Sequence, residues 1–242
     1  MSGHSKWATT KHKKAIIDAK RGKVFTKMAK LVTIAARDGG SGDPSSNPSL
    51  RMAIDNAKAQ SMPKENIERA ILHGTGESAG ANIESITYEA YGPNKVAILI
   101  ECLTDNKNRA LSDIKAVITK AGGNFASAGS VSYLFQKKGE IIIDTQKNQI
   151  SSDGIEEAII NSNADDYEIE DGLILIYTNP SQLHQVKIEI EKSSVVVESS
   201  ELIFSPITSI EIDEKKKPQV ISLLEALDDL DDVNKVYTNA SL

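Results

Sequence analysis

The sequence predicts an α+β protein of three domains: an N-terminal three-helix domain, a discontinuous α/β middle domain, and a ferredoxin-like βαββαβ domain inserted into the middle one. Three observations predict it. Apolar residues recur at helical spacing through residues 23–74, from residue 83 strand-length apolar runs take over, and residues 140–202 follow the order strand, helix, strand, strand, helix, strand. A strand–helix–strand remnant after that unit needs a sheet to join, and the incomplete unit at 83–135 is its only candidate. The expected boundaries are 1–78 for the basic arm and helical domain, 79–136 with 204–242 for the middle domain, and 137–203 for the insertion.

The first helix carries Val24, Met28, Leu31, Val32 and Ala35 on one side, with Lys23, Lys27, Lys30 and Arg37 on others, and Gly39-Gly40 closes it. Asn47 followed by Pro48 reads as an N-cap with proline at the first helical position, so a second helix runs to about Gln60. Ser61, Met62 and Pro63 break it and start a third, carrying Ile67, Ala70 and Ile71 and ending near Gly74 and Gly76. Next, strands at 83–91 and 96–104 flank the turn Gly92-Pro93-Asn94. A helix at 108–121 stops at Gly122-Gly123, and 131–135 reads as a strand. The inserted unit is read as strand 140–144, helix 155–161, strands 166–170 and 173–177 joined by Asp171-Gly172, helix 182–191 opened by Asn179-Pro180, and strand 195–202. Strand 207–212, helix 218–230 and strand 233–238 complete the chain.

Charge points to function. Residues 1–30 hold nine lysines and arginines against one acid, Asp18, in a chain of net charge −6. Residues 1–72 contain 14 basic and 6 acidic side chains, whereas 73–242 contain 14 and 28. Potentials fall off over about 8–10 Å at physiological salt, so a distant acidic bulk does not neutralise a basic arm; it repels phosphate elsewhere. The arm therefore reads as a polyanion contact. Lys6, Lys11, Lys13, Lys14, Lys20, Arg21, Lys23 and Lys27 are the candidates for neutralising backbone phosphate, and Trp7 for stacking on an exposed base or packing on the protein. Lys107 and Arg109, in the polar cluster 104–109 between a strand and a helix, are a candidate secondary contact, although Asn or Asp there most often caps the helix.

Other chemistry finds little support. His4, His12, His73 and His184 are scattered, with no pairing to the single Cys102 or to carboxylates at ligand spacing, so no metal, cofactor or catalytic group is expected. Cys102 lies in an apolar run and reads as a buried, inert thiol. The Gly-rich stretch 39–49 lacks the Gly-Lys-Ser/Thr ending of a phosphate-cradling loop and reads as a connector. Asp228, Asp229, Asp231 and Asp232 lack the glycine and terminal glutamate of an EF-hand loop and read as a solvated helix end. The apolar run 96–100 is far short of the about 20 residues a membrane helix requires, and the polar start lacks a secretory signal's apolar core. A transit peptide would favour Arg and Ser over this Lys-rich start. A cytoplasmic location is expected.

Several stretches together carry a likeness. Gly3-His4-Ser5-Lys6-Trp7, Lys20-Arg21-Gly22-Lys23, Ala35-Ala36-Arg37-Asp38-Gly39-Gly40, Asn47-Pro48-Ser49-Leu50-Arg51 and Met62-Pro63-Lys64-Glu65-Asn66-Ile67 resemble the YebC family. So do Tyr88-Glu89-Ala90-Tyr91-Gly92-Pro93, Thr104-Asp105-Asn106 with Asn108-Arg109, and Gly122-Gly123. The resemblance spans the chain and is densest over 1–135; from Ser194 onward it is one of pattern alone. Because it begins at residue 3, it implies that no presequence has been added. It implies the three-domain architecture above and a regulator of gene expression rather than an enzyme. Members are described as probable DNA-binding transcriptional regulators; a mitochondrial relative as the translational activator of cytochrome c oxidase subunit I; and bacterial members also as ribosome-associated factors relieving stalling at proline-rich stretches.

The expectation is therefore a nucleic-acid-binding regulator whose partner is DNA or ribosomal RNA, with the ribosome as a further possible partner, acting as a monomer or weak dimer. No helix offers an obvious base-reading set of Asn, Gln and Arg, which favours structured RNA on physical grounds, while the family's usual label favours DNA. The two acidic α/β domains are expected to position the arm and to contact protein rather than phosphate.

Overall fold

The computed structural model describes residues 21–78 and 82–242. Its helical part consists of α1 (Arg21–Asp38), α2 (Pro48–Ala59) and α3 (Lys64–Thr75), packed around Val32, Leu50, Ile54, Ala57 and Ile67. The Asn47-Pro48 start acts as the sequence implies: Asn47 Oδ1 accepts a hydrogen bond from the Leu50 amide at 3.0 Å. Its Nδ2 donates to the carbonyls of Ala35 at 2.8 Å and Ser41 at 3.0 Å, so one buried side chain ties the end of α1 to the start of α2. Gly76 ends α3 at φ 80°, the left-handed conformation a C-cap glycine adopts without strain.

Beyond it, the chain runs β1 (Glu84–Tyr91), β2 (Ala97–Thr104), α4 (Lys107–Lys120), β3 (Asn124–Ala126), β4 (Phe135–Asp144), α5 (Ser152–Asn161), β5 (Asp166–Glu170) and β6 (Leu173–Thr178). It continues through α6 (Leu183–Lys192), β7 (Ser199–Pro206), β8 (Ile210–Glu211), α7 (Lys217–Asp228), β9 (Val233–Thr238) and β10 (Ala240–Ser241). Two four-stranded sheets result, ordered β3-β1-β2-β9 and β5-β6-β4-β7, and β8 pairs with β10 in parallel. The second order is that of a βαββαβ unit whose first and third strands are central. Strand β9 returns from the far end of the sequence to lie antiparallel to β2, so the late remnant completes the early sheet.

The two sheets stack face to face, with helices outside. On β2, Ile98, Ile100 and Cys102 turn toward the core under α4 and α7, and Ala97 and Leu99 toward the other sheet. On β6, Ile174 and Ile176 face α5 and α6, while Leu173, Leu175 and Tyr177 face inward. Strands buried on both faces read as continuous apolar runs, which is what both sequences show.

Four expected strands differ. Residues 132–134 form a 3-10 turn rather than a strand, because the carboxylate of Glu89 takes the amides of Gly129, Val131 and Ser132 at 2.7, 2.6 and 3.0 Å, removing them from any ladder. Strand β4 runs unbroken from Phe135, paired with Pro206, rather than from residue 140, so the expected joins at 136/137 and 203/204 fall inside β4 and β7. The apolar residues Val195 and Val197 pack under α6 without being strand; Asn148 instead bonds both backbone groups of Val196, and β7 begins at Ser199. Of the expected strand 207–212, Ile210–Glu211 alone pairs.

The helical part grips both sheets' surroundings. The Asn56 side-chain amide pairs with the backbone of Ser200, donating from Nδ2 to its carbonyl at 2.9 Å and accepting from its amide at 3.2 Å. That covers part of the outer edge of β7, where unpaired backbone groups invite unwanted strand pairing. Lys187 of α6 meets Asp55 of α2 at 3.3 Å.

Candidate nucleic-acid interface

Lys23, Lys27 and Lys30 are spaced by four and three residues and so share one face of α1. That face looks inward, onto the C-terminus of α7 and the turn after it. Lys23 Nζ donates to the Asp229 carbonyl at 2.9 Å and lies 3.2 Å from Asp231 Oδ1. Lys27 Nζ donates to the Asp228 carbonyl at 2.8 Å. Lys30 Nζ donates to the carbonyls of Leu103 and Asp231 at 2.9 and 3.0 Å and to Asp232 Oδ1 at 3.1 Å. A helix C-terminus exposes unpaired carbonyls at the negative end of its dipole, and a cation there contributes about 0.3–1 kcal/mol.

Asp232 is the centre of this seat. It is 7% exposed, and besides Lys30 it accepts from Arg109 Nε at 2.8 Å and Nη2 at 2.9 Å, a two-pronged grip on one carboxylate. Burial pushes the Asp232 carboxyl upward, but the bonds from Arg109 and Lys30 outweigh it and hold it below the ordinary aspartate value of 3.8. The same bonds, with Asp105 at 2.8 Å, push the Arg109 guanidinium further up. The Leu103 amide donates to the Asp232 carbonyl at 2.9 Å, fixing the acidic turn to the end of β2. A cleft of about 200 Å³ beside it is lined by Lys23, Arg109, Asp113, Asp229 and Asp231, among others.

These contacts revise three sequence-based expectations. The aspartate run 228–232 is a docking seat rather than a solvated helix end, since Asp232 is buried and its neighbours' carbonyls receive lysines. Lys23 and Lys27 carry charge that this seat engages, so the anionic bulk does not stay clear of the basic segment. Lys107 and Arg109 do not form a free cationic pair: Lys107 Nζ lies 2.6 Å from Glu84 Oε2, and Arg109 is held by Asp232 and Asp105. The expected cap in that cluster is Asn106, whose Oδ1 accepts from the Arg109 amide at 3.1 Å. Lys6, Trp7, Lys11, Lys13, Lys14 and Lys20 lie outside the described residues, as does the side chain of Arg21.

Reading the sequence alone misses Lys30 and Asp232 as a pair. The signal is nonetheless present: a cationic stripe at i, i+4 and i+7 in a net-basic segment, and a compact acidic run in a net-acidic one. Cys102, by contrast, is where the sequence puts it, fully buried, and burial pushes its thiol up to about 12. No helix among the described residues is long and apolar enough to cross a membrane.

Comparison with known proteins covers the whole of this architecture. Residues 5–77 match the family model of the TACO1/YebC protein N-terminal domain, and residues 83–240 that of the TACO1/YebC second and third domain. A probable transcriptional regulatory protein of Parafrankia sp. (strain EAN1pec) is 48% identical over 243 residues, covering 100% of this chain and 96% of that protein. One from Desulforapulum autotrophicum is 47% identical over 242 residues, covering 100% and 97%. The crystal structure of a conserved hypothetical protein from Aquifex aeolicus superposes with a TM-score of 0.87 at 41% identity, covering 93% of this chain and 91% of that one. With matches of this extent, the chain belongs to the TACO1/YebC family.

Proposed function

We propose that this protein is a cytoplasmic, non-enzymatic regulator of gene expression that binds nucleic acid through the basic segment that leads into α1. Lys6, Lys11, Lys13, Lys14, Lys20 and Arg21 neutralise backbone phosphate, with Trp7 stacking on an unpaired base. One observation carries the reading: residues 1–30 hold nine lysines and arginines against one acid, in a chain of net charge −6. The names of the curated relatives, probable transcriptional regulatory proteins, support the regulatory role.

Structured RNA, with the ribosome as its natural source, is the second reading. It is favoured by the orientation of α1, whose lysine stripe is engaged within the protein and does not offer a cationic face to a DNA groove. Competition between duplex DNA and ribosomal RNA for the purified protein separates the two. A sequence-specific DNA regulator would also be dimeric with a palindromic site, and a ribosome factor monomeric and co-sedimenting with ribosomes. Joint replacement of Lys11, Lys13 and Lys14 by Ala lowers affinity for any sequence and flattens the salt dependence on duplex DNA by about 0.9 for each phosphate no longer neutralised. Unchanged affinity would move the site elsewhere.

A further inference from the structure

Helix α4 runs between two ends of the middle domain. At the start of that helix lies the acidic seat, through Arg109 and Asp232. At its end three segments meet. The Gln219 side chain at the start of α7 donates to the Ala121 carbonyl at 3.3 Å. Gly123 packs so closely on the turn before β2 that a Cβ there would sit 2.6 Å from the Tyr91 carbonyl and 3.2 Å from Gly92 Cα; Gly92 in turn lies against Leu223 of α7.

Lys95, Lys120, Lys215 and Lys216, all exposed, lie on the segments that meet here. No carboxylate pairs with any of them among the described residues. Lys95 and its neighbour Asn94 both hold left-handed backbone, φ 63° and 62°, a conformation that costs non-glycine residues energy. Of the acids nearby, Asp213 Oδ1 accepts from the Lys215 amide at 2.9 Å, and Glu214 pairs with Lys217. An exposed cationic patch is out of keeping with a chain segment in which acids outnumber bases two to one, 28 to 14.

We propose that this lysine patch at the α4–α7 end is a second contact for the nucleic-acid sugar-phosphate backbone, engaged together with the N-terminal arm. The inference rests on the nucleic-acid reading above.

The test is fluorescence anisotropy of the full chain on a labelled duplex of about 20 base pairs and on a structured RNA of similar size, over a potassium chloride series. Joint replacement K95A, K120A, K215A and K216A is compared with K11A, K13A and K14A, with the matching Lys→Arg set as a charge control. The patch variant is expected to flatten the duplex salt slope by about 0.9 for each phosphate it ceases to neutralise, and the Arg set to restore it. If the arm variant weakens binding and the patch variant does not, the second contact is overturned while the arm stands. If neither changes binding, or the intact chain binds neither probe, the nucleic-acid reading falls and the patch with it.

Discussion

Lys30 Nζ lies 3.1 Å from Asp232 Oδ1, joining residues 202 positions apart, and both side chains are largely buried, at 17% and 7% exposure. Arg109 closes on the same carboxylate from the other side. One aspartate is thus shared by α1 of the helical part and α4 of the middle domain. Removing the aspartate's charge leaves the largely buried Lys30 without its carboxylate, while Arg109, 49% exposed, keeps Asp105. Asp232→Asn is therefore expected to lower stability by about 3 kcal/mol, the lower end of the range for breaking buried pairs. Urea denaturation at pH 7 measures it. A change below about 1 kcal/mol, the scale of an exposed pair, would show that the seat is not a structural joint.

The same aspartate sets a pH dependence. The folded carboxyls of Asp232 and Glu89 are both held below their ordinary values, 3.8 and 4.5; burial acts against this in each case, and bonds to Arg109 and Lys30, or to three backbone amides, prevail. A group depressed on folding adds stability that is fully present above its ordinary value and disappears as pH falls through the folded one. Stability is therefore expected to be flat from about pH 7 to about 5 and to fall below about pH 4.5, with a shallower fall in Asp232→Asn and Glu89→Gln. Urea midpoints at half-unit pH steps supply the curve, and wild-type and Asn variants with equal slopes would refute the assignment to Asp232.

Cys102 faces the core under α4 and α7, its thiol pushed up to about 12 by burial and by Asp232 and Glu101. Thiolate is the reactive form, so at about pH 8 the folded protein is expected to be inert to a disulfide reagent such as DTNB. Modification then proceeds at the rate of unfolding and rises with urea. Fast labelling in native buffer would contradict the packing of β2 against these helices.

Much of this fold can be read from residue pattern, and the exceptions share a cause. Asn47-Pro48 and Asn106 announce helix starts because a cap is a local interaction among four residues. The runs 97–104 and 173–178 announce central strands because burial on both faces leaves no polar alternation. By contrast, the turn at 132–134 depends on Glu89, more than forty positions earlier, and the irregular segment near Val196 on Asn148. The candidate interface divides in the same way. Its excess of lysine is visible in a window of thirty residues, but the engagement of Lys23, Lys27 and Lys30 by residues 228–232 is a pairing between opposite ends of the chain, which periodicity does not encode.

The tight crossing of α1 and α3 gives a last test. A Cβ on Gly74 would sit 2.3 Å from the Thr33 carbonyl oxygen and 2.7 Å from the Ala36 Cβ. Neither obstacle is a flexible side-chain end: one is backbone and the other a Cβ fixed on its helix, so the helices must part. Thr33 is itself held across this contact, its hydroxyl donating to the Ala70 carbonyl at 3.0 Å. Gly74→Ala would gain helix propensity of about 1 kcal/mol in an unpacked helix, yet overpacking at a rigid contact costs about 1–3 kcal/mol. Net destabilisation of about 1–2 kcal/mol is expected on those two figures, with loss of the Thr33 bond. Thermal melts of Gly74→Ala and Gly74→Ser measure the penalty. Because α1 also carries the lysines that sit on residues 228–232, the displacement should propagate: Asp232→Asn combined with Gly74→Ala is expected to cost less than the two singly, and strict additivity would show that the contacts at the two ends of α1 are independent.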